Sequence, residues 1–212
     1  MKKLFICGAF AFFTVMNAQS TKFGLKAGYS LSNISEEYEG TTHSGDSKSS
    51  FYVGALIEVK LNPKWALQGE LLFSKLGAKD EIDLESINVN QEDIYIGPVE
   101  QKVDFSSIII PLGAKYYFTN KFSANAGLSF VFYVNRNIEY NLADYNKTAN
   151  DRANKYFKTF NFGPYLGLEY QLTEHFFMDT RYTLGLANIS HLSIDEYTMK
   201  NSFFQLGVGY KF

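Results

Sequence analysis

The sequence predicts an all-β fold: an eight-stranded antiparallel up-and-down transmembrane β-barrel with short periplasmic turns and long extracellular loops. The first observation is at the end of the chain, where small or polar residues alternate with an apolar set: Phe204, Leu206, Val208, Tyr210 and Phe212. A period of two gives a strand one apolar face. The same alternation recurs in long segments, and three short polar turns join these segments in pairs.

The start of the chain has the pattern of a secretory signal. Two lysines precede the apolar run Leu4–Val15, which is too short to span a bilayer, and small residues lead to a cleavage site after Ala18. We therefore expect a signal peptide over 1–18 and the barrel over 19–212, with an N-terminal anchor as the alternative. The single cysteine, Cys7, lies in the signal, so we expect no thiol, disulfide or cysteine-bound metal in the mature chain.

Composition narrows the class of protein. The formal net charge of -2 gives no argument for a nucleic-acid partner, and 17% of the residues are aromatic. Outside the signal, no apolar run reaches the length of a membrane-spanning helix. A helical inner-membrane protein is therefore excluded, and a membrane location requires strands.

Eight segments have the length and alternation of tilted membrane-crossing strands. Each has one face without charge, while the other face carries the charges and most of the strand glycines, as the interior of a narrow barrel requires. A soluble lipocalin-like barrel, with its apolar face inside, is the alternative; the glycines on the polar face argue against it. The segments are 21–33, 49–61, 65–77, 104–118, 122–134, 158–172, 176–187 and 202–212.

Three connections share one design, in which three polar residues separate two apolar-face residues: Leu61–Trp65, Phe118–Phe122 and Leu172–Phe176. The aromatic residue that ends each of them is expected to belong to a periplasmic aromatic girdle: Trp65, Phe122 and Phe176.

The alternate connections are long and polar, and we expect them outside the cell as surfaces for protein partners: 34–48, 78–103, 135–157 and 188–201. Alternating stretches within 78–103 predict a hairpin that extends above the membrane. The same loop holds many carboxylates, for which a calcium or lipopolysaccharide-bridging site is the alternative to a solvated acidic loop.

Three stretches resemble the PorT-like outer-membrane β-barrel proteins of Bacteroidetes: "IIIPLGAKYYF" (Ile108–Phe118), "FGPYLGLEYQL" (Phe162–Leu172) and the closing "LGVGYKF". The resemblance implies a small OmpA- or OmpX-type barrel in a Gram-negative outer membrane, surrounded by lipid and lipopolysaccharide. The apolar face of the last segment ends on an aromatic residue, as in outer-membrane β-barrel chains, so we expect the barrel-assembly machinery to bind the C-terminal strand, with Tyr210 and Phe212 as the assembly signal. One lineage of the family is linked to secretion and gliding, but most members have no defined function.

Charged residues of both signs fall at similar depths on the inward faces, and they predict a structural ionic network in the lumen: Lys26, Glu58, Glu70, Lys115, Glu169 and Arg181. An eight-stranded barrel leaves little space beyond its side chains, and unpaired charges there are costly. A gated ion path through these pairs is the alternative.

A catalytic site has weak support. His43 and His191 fall in external loops beside serines and an aspartate, where a Ser–His–Asp set of a lipid-modifying enzyme is conceivable. Polar loop composition explains them better, so we expect no enzyme, cofactor or metal site. The sequence favours a structural or interaction protein, with a narrow ion or small-solute channel as the main alternative.

Overall fold

The computed structural model describes residues 21–84, 87–89, 92–94, 97–140, 155–191 and 197–212, without the side chains of 80–100 and 139–140. Its elements are strands: β1 (Thr21–Tyr38), β2 (Thr41–Ser44), β3 (Asp46–Lys60), β4 (Trp65–Leu84), β5 (Ile87–Val89), β6 (Glu92–Ile94), β7 (Gly97–Tyr117), β8 (Phe122–Tyr140), β9 (Phe160–Gln171), β10 (Phe176–Thr183) and β11 (Thr198–Lys211). No helix in these ranges is long and apolar enough to cross a membrane.

One antiparallel sheet contains nine of these strands; β2 is an added strand beside β1, and the other eight close into a ring. Its order is β11-β10-β9-β8-β7-β4-β3-β1, and β11 pairs with β1. In that closing pair Gly24 lies opposite Lys211, and Glu37 lies opposite Thr198. Consecutive strands of the ring are neighbours, so the up-and-down barrel that the sequence predicts is confirmed.

The two faces of the sheet differ as the alternation predicts. In β9 every second residue is buried from Asn161 to Glu169, and those between them are exposed. The outward side chains are apolar and open, with Phe51 79% exposed and Leu166 64% exposed. A continuous apolar exterior of this kind is stable in hydrocarbon, while the inward face is sealed from it.

The three short turns are built alike. In the first, the Asn62 side-chain oxygen accepts hydrogen bonds from the backbone N–H groups of Lys64 and Trp65, both at 2.9 Å. Thr119 and Thr173 occupy the same place in the other two turns and accept the corresponding pair of bonds. The polar residue that opens each turn therefore fixes its shape.

The strands extend further on the loop side than the sequence predicts. Within the expected loop 34–48, β1 continues to Tyr38 and folds back as β2 through a two-residue turn, where Glu39 has φ 48° and Gly40 has φ 76°. Positive φ at both positions is the twist that a tight hairpin needs. Above the membrane both faces of a hairpin meet water, so the apolar alternation that marks a strand in the sequence is absent there.

The same correction applies to the other long connections. The β4–β7 ladder continues to the pair Leu84 and Gly97, which confirms the hairpin expected within 78–103. β8 reaches Tyr140, and β11 already begins at Thr198.

β10 ends earlier than expected, at Thr183 instead of residue 187. Leu184 still donates its N–H to the Pro164 oxygen at 3.0 Å. Because proline has no N–H, the returning bond of this antiparallel pair cannot form, and the regular ladder stops.

The loop-side half of the lumen contains an apolar core. Its buried residues include Leu76, Phe105, Ile109, Phe157 and Phe203, with Phe105 4.7 Å from Tyr133 and 5.0 Å from Phe157 between ring centroids. The sequence pattern predicts charged residues and glycines on the inward faces, and it does not predict this apolar core.

Candidate functional site

The turn-side half of the lumen gathers the charged residues. All six residues of the expected network lie on inward faces, and each is at most 5% exposed: Lys26, Glu58, Glu70, Lys115, Glu169 and Arg181. The structure brings them together as two groups of ion pairs.

The first group surrounds Glu70. Arg181 donates to it twice, with Nη1 3.0 Å from Oε2 and Nη2 2.5 Å from Oε1. Lys26 Nζ lies 3.4 Å from the same carboxylate and also pairs with Asp179. The Arg181 guanidinium lies 4.5 Å from the centre of the Tyr165 ring, so an aromatic face covers its remaining side.

The second group pairs two lysines with two glutamates. Lys115 Nζ lies 2.9 Å from Glu58 and 2.6 Å from Glu169. Lys211 Nζ lies 2.8 Å from Glu58 and 2.6 Å from Glu169. The Tyr117 hydroxyl also donates to Glu58.

Gln68 joins the two groups. Its amide nitrogen donates to Glu70 at 2.5 Å, and its amide oxygen accepts from Lys115 at 3.0 Å. The joined set contains four cations and four carboxylates, so its charge sums to zero: Lys26, Lys115, Arg181, Lys211, Glu58, Glu70, Glu169 and Asp179. We call these eight residues the ion network.

Sequence reasoning missed four participants. Asp179 and Lys211 alternate with apolar residues in the predicted strands but were not placed at the depth of the network, and Gln68 and Tyr117 are uncharged side chains that a search for charges does not find. The register of the last three strands could have placed Asp179 in the network. Asp179 lies two residues from Arg181 on the same face of β10, and it lies opposite Glu169 of β9.

The network is stable only as a set. Burying a charge is expensive, and the pairing offsets that cost only while every partner is present. Most of its polar atoms are paired; Asp179 Oδ1 and Arg181 Nε have no hydrogen-bond partner within the described residues.

The loop-side mouth holds a smaller cavity of about 100 Å³, lined by His43, Glu36, Met199 and Phe157 among others. Nearby, the Tyr197 hydroxyl donates to Glu36 at 3.1 Å. Partial burial, and then the negative charge of Glu36, raise the pKa of Tyr197 to about 12.

The two external histidines lie on different hairpins. His43 is in β2 and His191 follows β10, and neither hydrogen-bonds to a serine or carboxylate side chain within the described residues. Asp195, the acidic side chains of 80–100 and the segment 141–154 lie outside what the structure describes. In the part of the chain that is described, no three His, Cys, Asp or Glu residues are grouped to hold a metal ion.

Aromatic side chains line the turn-side rim. Trp65, Phe122, Phe176 and Phe212 are exposed on the outer face. Trp65 lies 4.9 Å from Tyr116 between ring centroids, and Phe122 lies 5.5 Å from Phe118. Tyr210 contacts its neighbours on both sides, with Phe176 at 5.0 Å and Phe212 at 5.3 Å.

The turn-side mouth opens into a cavity of about 420 Å³, which we call the vestibule. Its inner end is formed by the ion-network residues Glu58 and Lys211. The wall also includes Lys22, Lys60, Tyr117, Asn120, Gln171, Glu174, His175 and Phe212.

The solved structures similar to this chain include the following outer-membrane proteins. Ail of Yersinia pestis, in complex with the heparin analogue sucrose octasulfate, is 12% identical at a TM-score of 0.48, covering 91% of this chain and 99% of its own. OprG of Pseudomonas aeruginosa is 14% identical at a TM-score of 0.41, covering 92% and 97%. Outer Membrane Protein W of E. coli is 15% identical at 0.42, covering 92% and 100%. At these values the likenesses carry no inference about ligand or role.

No curated protein matches the chain by sequence. The sequence model of the family described as "Outer membrane protein beta-barrel domain" matches residues 17–191, which is most of the chain. With the closed ring of eight strands and the apolar exterior, this places the protein in the outer membrane. The chain belongs to the outer membrane protein beta-barrel domain family.

Proposed function

We propose that this protein is a closed outer-membrane barrel that acts through its extracellular side, in a structural or interaction role, and does not conduct ions. The observation that carries the proposal is that two different sets of buried side chains fill the lumen, one in each half of the barrel. The neutral ion network fills the turn-side half, and the apolar core fills the loop-side half.

The ion network and the apolar core each oppose the passage of an ion, but by different physical costs. An ion entering the network must displace a buried, hydrogen-bonded partner, and breaking a buried pair costs about 3–5 kcal/mol. An ion entering the apolar core loses its hydration without gaining ligands. Phe105, Phe157 and Phe203 are each at most 6% exposed, so the core holds no water-lined path along these side chains.

The extracellular side supplies surface for recognition. β2 is exposed at all four residues and, within the described residues, has a strand partner, β1, on one edge only. The free main-chain groups of such an edge can pair with an extended segment of another protein. We place the partner contacts in the four loop-side connections, 34–48, 78–103, 135–157 and 188–201.

Several finer proposals accompany this role. Residues 1–18 serve as a cleaved signal peptide, and the exterior contacts lipid and lipopolysaccharide. The exposed Trp65, Phe122 and Phe176 form the periplasmic girdle. The C-terminal strand, with Tyr210 and Phe212, is the signal for the barrel-assembly machinery, and the chain is PorT-like within its family. We propose no catalytic activity.

Planar-bilayer recording tests the closed lumen. The folded wild type should give no reproducible single-channel steps. Steps in the wild type that change size in Glu70→Gln or Arg181→Gln would show that the network lines a conducting path, and the closed-barrel proposal would then be wrong.

Site-specific photo-cross-linking in cells tests the interaction role. A photoreactive residue at Thr42, on the exposed edge of β2, should capture a discrete protein partner. The matched position Asn120, in a short turn at the other end of the barrel, should not give the same product. Identical patterns from both positions would contradict recognition through the extracellular side.

A further inference from the structure

The vestibule contains two lysines that the ion network does not use. Lys22 on β1 lies opposite Glu58 of β3, and Lys60 follows Glu58 by two residues on the same face. Lys22 and Lys60 are therefore diagonal neighbours across the β1–β3 pair, a spacing within reach of long side chains. Both line the vestibule.

Neither lysine has a carboxylate partner within the described residues. Lys60 Nζ lies 5.0 Å from the centre of the Tyr117 ring, and neither Lys22 nor Lys60 forms an ion pair with another residue of the part that the structure describes. Two ammonium groups that extend from diagonal positions of one strand pair repel each other, and that repulsion falls when one anion binds between them.

The two carboxylate side chains that line the vestibule, Glu58 and Glu174, do not fill this role. Glu58 is already bound by Lys115, Lys211 and the Tyr117 hydroxyl. Glu174 is exposed in its turn, where water screens its charge. The charges of Glu58 and Lys211 at the inner end of the vestibule thus cancel, and Lys22 and Lys60 add positive charge to them.

The rest of the wall can hydrogen-bond to a polar ligand. Asn120 and Gln171 contribute amides, and His175 contributes an imidazole whose Nδ1 lies 2.8 Å from the Lys211 backbone oxygen. The volume of about 420 Å³ lies within the range of small-molecule sites, about 300–1,000 Å³.

We propose that the vestibule is a binding site for a small, doubly negative solute of the periplasm, a dicarboxylate or a phosphate, held between the ammonium groups of Lys22 and Lys60. Lysine binds such groups as a point charge and does not need the planar geometry of arginine. The site depends on the wall of the mouth, so it exists whether or not the lumen conducts.

Calorimetric titration of the folded full-length mature chain in zwitterionic micelles tests the site, with inorganic phosphate and succinate as separate probes. We expect saturable binding of at least one probe. Lys22→Gln and Lys60→Gln should each weaken it by about tenfold, as expected for loss of one charged contact. Neutral dimethyl succinate should not bind.

Two lysines in the neighbouring turns provide matched controls. Lys64→Gln and Lys121→Gln remove the same charge from exposed positions at the same rim and should leave the affinity unchanged. A heat-dependent gel shift confirms that each variant is folded. Binding of one probe alone identifies the chemistry of the anion and supports the site.

Three results would overturn the proposal. The first is the absence of saturable binding of both probes to the wild type. The second is wild-type affinity in the folded Lys22→Gln/Lys60→Gln double variant. The third is an equal loss of affinity in Lys64→Gln, which would reveal only a general attraction to a basic rim.

Discussion

Arg181 and Glu70 connect opposite walls of the barrel through two hydrogen bonds of 3.0 and 2.5 Å. Arg181 is on β10 and Glu70 is on β4, and three strands of the ring, β9, β8 and β7, separate them. Their pairing therefore ties parts of the sheet that share no backbone hydrogen bond. Gln68 extends the connection to Lys115 on β7.

Replacing Glu70 with glutamine should strongly destabilise the barrel. The change leaves the Arg181 guanidinium buried without its carboxylate and removes one partner of Lys26. We expect the free energy of unfolding to fall by about 3–5 kcal/mol. Urea unfolding in lipid vesicles measures this change.

Glu174→Gln is the matched control, because Glu174 is an exposed carboxylate in the β9–β10 turn. It should change the free energy of unfolding by no more than about 0.5 kcal/mol. A similarly small effect of Glu70→Gln would mean that the ion network contributes little to holding the walls together.

Adding a methyl group at Gly127 should also destabilise the barrel. Gly127 of β8 lies opposite Gly113 of β7, and a Cβ built on Gly127 would lie 2.5 Å from the Gly113 Cα. Backbone atoms must move to relieve such a contact, so Gly127→Ala should cost about 1–3 kcal/mol in the same urea assay.

The outward-facing Gly69 provides the comparison. A Cβ there would meet only two side-chain carbons, Leu112 Cδ2 at 3.2 Å and Ile57 Cγ2 at 3.6 Å. Gly69→Ala should therefore be close to neutral. Equal costs at the two glycines would argue against a close approach of β7 and β8 as the reason for the glycine pair.

The membrane-spanning part of the fold was predictable because one physical rule governs it. A strand between hydrocarbon and a packed lumen must alternate, and the exposed Leu166 beside the buried Tyr165 and Gly167 shows that rule in β9. The turn design was predictable for a related reason, since Asn62, Thr119 and Thr173 stand at equivalent places.

The apolar core, the ion pairs and the β1–β2 hairpin depend on contacts that the alternation of apolar and polar residues does not predict. Phe105 and Ile109 fill the lumen, although the alternation alone gives no reason to place large apolar residues inside. The cationic partners of Glu70 are on β1 and β10, so they follow from ring closure and from the shear of the barrel, not from sequence spacing. The β1–β2 hairpin was missed because neither of its faces meets hydrocarbon.

Because Trp65 is the only tryptophan in the sequence, its fluorescence reports the membrane depth of the aromatic girdle. Trp65 is 45% exposed on the outer face at the turn-side rim and contacts Tyr116. If the rim lies at the membrane interface, brominated lipids should quench Trp65 fluorescence most strongly when the bromine lies close to the headgroup. Strongest quenching by bromine at the chain ends would contradict the girdle, as would no quenching at all.

Tyr197 should titrate later than an ordinary tyrosine, for two separable reasons. Burial and the negative charge of Glu36 both disfavour the phenolate, and together they raise the pKa from 10.0 to about 12. Because the folded state favours the protonated form, the stability from this group is fully present below about pH 10 and is lost as the pH rises through about 12. Titration of ring-labelled tyrosines by NMR, with Tyr197→Phe for assignment, measures the pKa directly.

Substitution at Glu36 separates the two causes. Glu36→Gln removes the charge but keeps a hydrogen-bond acceptor 3.1 Å from the hydroxyl in the parent structure, so the pKa of Tyr197 should fall part of the way towards 10.0. Glu37→Gln is the control, because Glu37 pairs with Lys200, whereas the Tyr197 hydroxyl donates to Glu36. If both variants lower the pKa equally, the shift arises from the general negative charge of the β1 hairpin. If neither variant changes the pKa of Tyr197, burial alone raises this pKa, and the contact between Glu36 and Tyr197 has no electrostatic role.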